Sequence, residues 1–167
     1  GTLLVTILLS EVSFGLLVQE KPDNQEGTRL YFAYGSNLDE EQMAQRCLTA
    51  SPQSVASIHG YRFVINTRGV ASLVESPGDH VEGLLWGISF QDEQLLDLFE
   101  GVATGHYSKE ELFVEERETG QVVKALVYIA TESEPGTPRP GYLEKILKAA
   151  EKHGLSEAYV EELRKWL

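Results

Sequence analysis

Apolar positions change period several times along the chain, and each change predicts an element. Residues 29–33 are a short apolar stretch with strand character, ending at Tyr34-Gly35-Ser36-Asn37. Residues 39–47 then read as a short helix with an acidic first turn, which suits the positive end of a helix. The segments 55–66, 69–75, 80–90, 107–116 and 121–130 carry the β-branched and aromatic residues of strands. Ser76-Pro77-Gly78-Asp79 and Glu118-Thr119-Gly120 have tight-turn composition, so both are expected to join strands as β-hairpins.

Within residues 91–99, Leu95, Leu96, Leu98 and Phe99 fall on one helical stripe, and Ser89 with Asp92 resembles a capping box. Gly101 stops this helix, which leaves Glu100 at its C-terminal edge. Residues 131–141 hold three prolines and two glycines and read as a loop. A helix follows from Tyr142, burying Leu143, Ile146, Leu147 and Ala150 and stopping at Gly154. The last helix, 156–166, presents Tyr159, Val160, Leu163 and Trp166. Strands and helices do not alternate strictly, which predicts an α+β fold: a small mixed β-barrel or half-barrel with helices packed outside.

Residues 2–9 and 14–18 are apolar and 19–28 polar, so residues 1–28 are expected to be an apolar leader and polar linker, and 29–167 the domain. Glu11 interrupts the apolar stretch, and a membrane span needs about 20 apolar residues. No membrane partner is expected unless the run is a truncated anchor. With 14 basic against 26 acidic residues the net charge is −12, which disfavours nucleic acid. An anionic substrate would have to be held by local donors. Cys47 is the lone cysteine, which excludes an intramolecular disulfide and suits a reducing, cytoplasmic location, with a homodimer left open.

Two segments carry candidate chemistry. In the strand-to-helix loop at Tyr34-Gly35-Ser36-Asn37, glycine admits close backbone approach and successive N–H groups suit a carboxylate, although a plain capped turn reads the same way. Glu100 is the second. A carboxylate at the negative end of a helix is disfavoured, and a raised pKa is what a general base needs near neutral pH. Tyr31, Tyr34, Tyr107 and Tyr142 lie near these segments as core or as hydroxyl donors. His59, His80, His106 and His153 lack metal-ligand spacing, and no phosphate loop, dinucleotide fingerprint or nucleophile elbow occurs.

The run Tyr31-Phe32-Ala33-Tyr34-Gly35-Ser36-Asn37-Leu38, then Ser76-Pro77-Gly78-Asp79, Gly83-Leu84-Leu85-Trp86, Glu100-Gly101-Val102, Gly105 and Tyr107, resembles the γ-glutamylcyclotransferases in order and spacing. The resemblance spans about residues 30–155. It implies a barrel with helices, cofactor-free cyclisation of a γ-glutamyl group to 5-oxoproline, and Glu100 as the base. It further implies that Tyr31, Phe32, Ala33, Tyr34, Gly35, Ser36 and Asn37 cradle the γ-glutamyl group, that Tyr107 lies at the site, and that Tyr142 closes over it. Related branches carry Tyr-Gly-Thr or Tyr-Gly-Ser-Leu at the loop, so Tyr-Gly-Ser-Asn points to cyclotransferases proper. The alternatives are a γ-glutamylamine- or glutathione-directed member, or a non-catalytic small-molecule-binding module on the same fold.

Because such a substrate carries its own nucleophile, activity is expected to survive exhaustive EDTA treatment. Complete loss, restored by zinc or magnesium, would contradict this reading.

Overall fold

The structure, a computed structural model, describes residues 28–167. The expected leader and nearly all of the expected linker lie outside the described residues. Five strands form a closed barrel in the order β1 (Arg29–Ala33), β3 (Ala71–Ile88), β2 (Ser51–Ile65), β4 (Tyr107–Glu116) and β5 (Val122–Ala130). Neighbours run antiparallel except at the seam, where β1 lies parallel to β5 with Tyr31 opposite Leu126. The expected mixed barrel is therefore present. Its core includes the fully buried Phe32, Ile58, Leu85 and Leu126.

Four α-helices among the described residues surround it: α1 (Glu40–Arg46), α2 (Phe90–Phe99), α3 (Tyr142–Lys152) and α4 (Glu157–Arg164). Three of them, α1, α2 and α4, start at a side-chain cap. The Asp39 carboxylate accepts from Gln42 N–H to open α1, and Ser156 Oγ accepts from Tyr159 N–H to open α4. The capping box of α2 forms in full between Ser89 and Asp92. Helix α3 buries Leu143, Ile146, Leu147 and Ala150, as its periodicity predicts, and α4 buries Tyr159, Val160 and Leu163.

Two expectations need correction. Glu118-Thr119-Gly120 does turn β4 into β5, with Glu116 N–H donating to Gln121 O at 2.8 Å. Ser76-Pro77-Gly78-Asp79, however, lies inside β3. His59 pairs with His80 and Tyr61 with Glu75, so residues 76–79 form a bulge opposite Gly60. The hairpin reversal is instead the 66–70 turn, where Asn66 Oδ1 accepts from Arg68 N–H and Val70 N–H and Gly69 takes φ +78°. A buried asparagine that supplies the turn's acceptors outcompetes mere turn composition. The second correction concerns α2, whose apolar stripe is not a core stripe: only Leu96 of its four residues is buried, while Leu98 and Phe99 face a cavity at the barrel mouth.

One glycine sets how closely two strands approach. A Cβ on Gly83 would lie 2.3 Å from the Ala33 carbonyl oxygen and 2.8 Å from the Phe32 ring. Gly83→Ala is therefore expected to cost about 1 to 3 kcal/mol in urea unfolding. An unchanged midpoint would show that β1 and β3 can separate freely.

Candidate active site

The ends of several elements meet around a cavity of about 450 Å³ at the barrel mouth. The loop after β1 supplies Tyr34, Gly35, Ser36 and Asn37, the C-terminus of α2 supplies Glu100, β4 begins with Tyr107, and α3 begins with Tyr142. Tyr31, Tyr34, Gly35, Ser36, Asn37, Glu100, Tyr107 and Tyr142 all line this space. Phe32 and Ala33 do not, contrary to the expectation that they cradle a ligand. Both are buried in the barrel against Gly83, and their part is to hold the strand that delivers Tyr34.

Hydrogen bonds fix the wall. Ala71 N–H donates to the Tyr142 hydroxyl at 2.9 Å, and the Ala71 carbonyl accepts from Tyr107 at 2.8 Å. Tyr34 donates to the Tyr128 carbonyl at 2.5 Å, and Tyr128 in turn donates to Asp97 at 2.6 Å. Asn37, buried, donates to the Tyr31 hydroxyl at 3.0 Å. Its Oδ1 accepts from Gln42 at 2.9 Å and from Arg46 at 3.1 Å, and the Gln42 amide also reaches Ser36 Oγ at 2.7 Å. The Tyr142 hydroxyl is thus part of the wall next to Gly35, where an added Cβ would lie 3.3 Å from it.

The position of Glu100 follows from the way α2 ends. Gly101 takes φ +63°, its N–H donates to Leu98 O at 3.2 Å, and Val102 N–H donates to Asp97 O at 3.0 Å, the two bonds of a Schellman cap. Glu100 is the capping residue, still in right-handed helical conformation, with its side chain in the cavity. Desolvation pushes its pKa up to about 7, and the charges of Arg46 and Arg68 oppose that rise without cancelling it.

Glu82 shows what sets Glu100 apart. It is buried where Glu100 is half-buried, and burial pushes its pKa up too, but it accepts from Ser156 N–H at 2.8 Å and Ser156 Oγ at 2.5 Å and pairs with His80 at 3.0 Å, and these hold it below the usual range. Glu100 has no hydrogen-bond donor of this kind among the described residues. A buried carboxylate with donors is an acid that stays ionised; one without them is poised to exchange a proton near pH 7. The surrounding tyrosines stay protonated. Burial raises Tyr142 to about 12 and Tyr31, Tyr34 and Tyr107 well above their ordinary value.

Sequence reasoning did not single out the cations of the site. Arg46, Arg68 and Arg139 line the cavity with Glu100. Gln42 and Arg46 are spaced by four on α1 and so share the face that meets the loop, a signal that was present. Arg68 and Arg139 come from the 66–70 turn and the 131–141 loop, which only the fold brings together: Arg139 Nε donates to Arg68 O at 2.8 Å. Cys47 is simply buried, its thiol pushed up to about 12 by desolvation, which suits a packing role and not a nucleophile. Among the described residues no group of three or more His, Cys, Asp or Glu has metal-binding geometry, and no helix is long and apolar enough to cross a membrane.

Comparison with known proteins adds a second line. Residues 80–163 match the AIG2-like family. The chain is 34% identical over 151 residues to a mouse protein named gamma-glutamylcyclotransferase, covering 84% of this chain and 80% of the relative. A human protein of the same name is 32% identical, with 83% and 79% covered. A solved structure described as a gamma-glutamyl cyclotransferase superposes with a TM-score of 0.78 at 31% identity, covering 84% of this chain and 88% of that one.

The raised pKa of Glu100 couples to stability with a definite sign. An unfolded glutamate titrates near 4.5 and the folded one near 7, so between these values the folded state binds more protons and stability falls as pH rises. The stability of Glu100→Gln relative to wild type is therefore expected to rise on going from about pH 4 to about pH 8, by on the order of 3 kcal/mol. Denaturant titrations at the two pH values measure it, and a difference independent of pH would mean that Glu100 is not desolvated.

Proposed function

We propose Glu100 as the proton-transferring group of this chain, which belongs to the γ-glutamylcyclotransferase family and is an enzyme that closes a γ-glutamyl group onto its own α-amine, releasing 5-oxoproline and the free amino acid. The observation that carries the proposal is the Glu100 carboxylate, without a hydrogen-bond donor among the described residues and raised to about 7 in a cavity walled by tyrosines.

The substrate's α-amine reaches the enzyme as an ammonium and must lose a proton before it can attack the γ-carbonyl carbon. Glu100 takes that proton. As the ring closes, the carbonyl oxygen gains negative charge, and collapse of the tetrahedral intermediate needs a proton on the departing nitrogen, which Glu100 returns; the second proton shed by the attacking nitrogen ends on the released amine, which leaves as its ammonium. One carboxylate serves both steps because the two nitrogens are bound to the same carbon in the intermediate. A group titrating near 7 is matched to both directions of transfer. The cavity's other task is to fold the substrate so that amine and carbonyl meet, and orientation of this kind is worth up to about 7 to 11 kcal/mol in intramolecular reactions.

The wall supports these steps. Tyr31 and Tyr142 each accept a hydrogen bond, from Asn37 and from Ala71 N–H, so each keeps its own O–H to donate into the cavity. Both are candidates, with the backbone of the loop at residues 35–37, for holding the γ-glutamyl group or the developing oxyanion. Tyr107 and Tyr34 spend their protons on backbone carbonyls and act by shaping the wall. A reduced, buried Cys47 and a cofactor-free reaction on γ-glutamyl compounds fit a cytoplasmic role in glutathione metabolism.

Glu100→Gln keeps size while removing basicity, and it is expected to lower kcat by at least about 10²-fold with the protein still folded. In the wild type, kcat/KM should fall on the acid side with a midpoint near 7, as the free enzyme's Glu100 gains its proton. Near-normal 5-oxoproline production by folded Glu100→Gln would remove Glu100 from this role.

A further inference from the structure

Arg68 is placed in a way that a structural role does not explain. Its Nη1 is buried and has no hydrogen-bond partner among the described residues, and its side chain lines the cavity that holds Glu100. No acidic side chain among the described residues forms an ion pair with it, although most other buried or half-buried cations here have one: Arg29 pairs with Glu93, and Lys109 with Glu93 and Asp97. A guanidinium N–H removed from water and left without an acceptor is costly, and such a group is retained where something supplies the acceptor.

The two cations that act on Glu100 stand in different surroundings. Arg46 donates to Asn37 Oδ1, lies 4.7 Å from the Phe99 ring centroid, and belongs with the loop at 35–37. Arg68 belongs with Tyr107 and with Arg139, which donates to its carbonyl. A γ-glutamyl amino acid has matching polarity: one carboxylate on the glutamyl α-carbon and a second on the departing residue, on either side of the reacting amide. Resting on the reading above, in which the loop receives the γ-glutamyl end, we propose that Arg68 binds the carboxylate of the departing residue. Arg68 is then the residue through which this site prefers γ-glutamyl α-amino acids, as the reading above requires, over γ-glutamylamines, which have no charge at that position.

Comparing γ-glutamyl-alanine with γ-glutamyl-alaninamide isolates this contact, because the two differ in that one charge. Wild-type enzyme is expected to favour the acid in kcat/KM by at least about tenfold, the range of a charged hydrogen bond. Arg68→Gln should bring the acid-to-amide ratio to within about twofold of unity, and Arg68→Lys should restore part of it. Removing Arg68 also alters the field at Glu100, but that change acts on both substrates alike and cancels in the ratio. A wild type that does not distinguish the pair, or an Arg68→Gln variant that keeps the wild-type ratio, overturns the proposal. If wild type made 5-oxoproline from neither compound, the assigned activity would fail and calorimetric binding to Glu100→Gln would decide on Arg68. Tighter binding of the acid that disappears on adding Arg68→Gln supports it, and equal affinities refute it.

Discussion

The cavity depends on one peptide unit. Ala71 begins β3, its N–H donates to Tyr142 at the start of α3, and its carbonyl accepts from Tyr107 at the start of β4. Its Cβ faces Gly35 in the loop after β1, where an added Cβ would lie a tight 3.3 Å from it. Two segments far apart in sequence, the starts of α3 and β4, are therefore tied to β3 by the one donor and one acceptor of a single residue. Neighbouring Ser72 extends the tie, its Oγ accepting from Ala130 N–H at 3.0 Å. Buried backbone groups must find partners, and here the partners are tyrosine hydroxyls facing a ligand space.

That arrangement explains why Glu100 differs from the other acids. Tyr107 and Tyr34 have committed their protons to the scaffold, and Asn37 has committed its amide to Tyr31. The wall is thus polar enough to receive a charged substrate yet leaves the Glu100 carboxylate without a donor of its own. Arginines at two sides keep it from rising further. On a chain with net charge −12, this local concentration of cations lets an anionic substrate bind where the protein as a whole would repel it.

Much of this was legible from residue order, because the deciding signals are local. The Ser89–Asp92 box and Gly101 bracket α2 and so place Glu100, and the strand before Tyr34-Gly35-Ser36-Asn37 places the loop. The misreadings have a common cause. Ser76-Pro77-Gly78-Asp79 has turn composition but forms a bulge, because Asn66 makes the real reversal ten residues earlier. Phe32 and Ala33 belong to a site motif by sequence, yet both are buried in β1 and neither lines the cavity. Arg68 and Arg139 come together only through tertiary contact, so no local pattern could reveal them.

The central claim is that Glu100 exchanges a proton near neutral pH because desolvation outweighs the charges of Arg46 and Arg68 and no hydrogen-bond donor among the described residues reaches its carboxylate. The most direct test follows the ¹³Cδ resonance of labelled glutamate across a pH titration of the free protein, with Glu100 assigned by its absence in Glu100→Gln. A midpoint near 7 is expected. Titration in the ordinary glutamate range, near 4.5, would contradict the account.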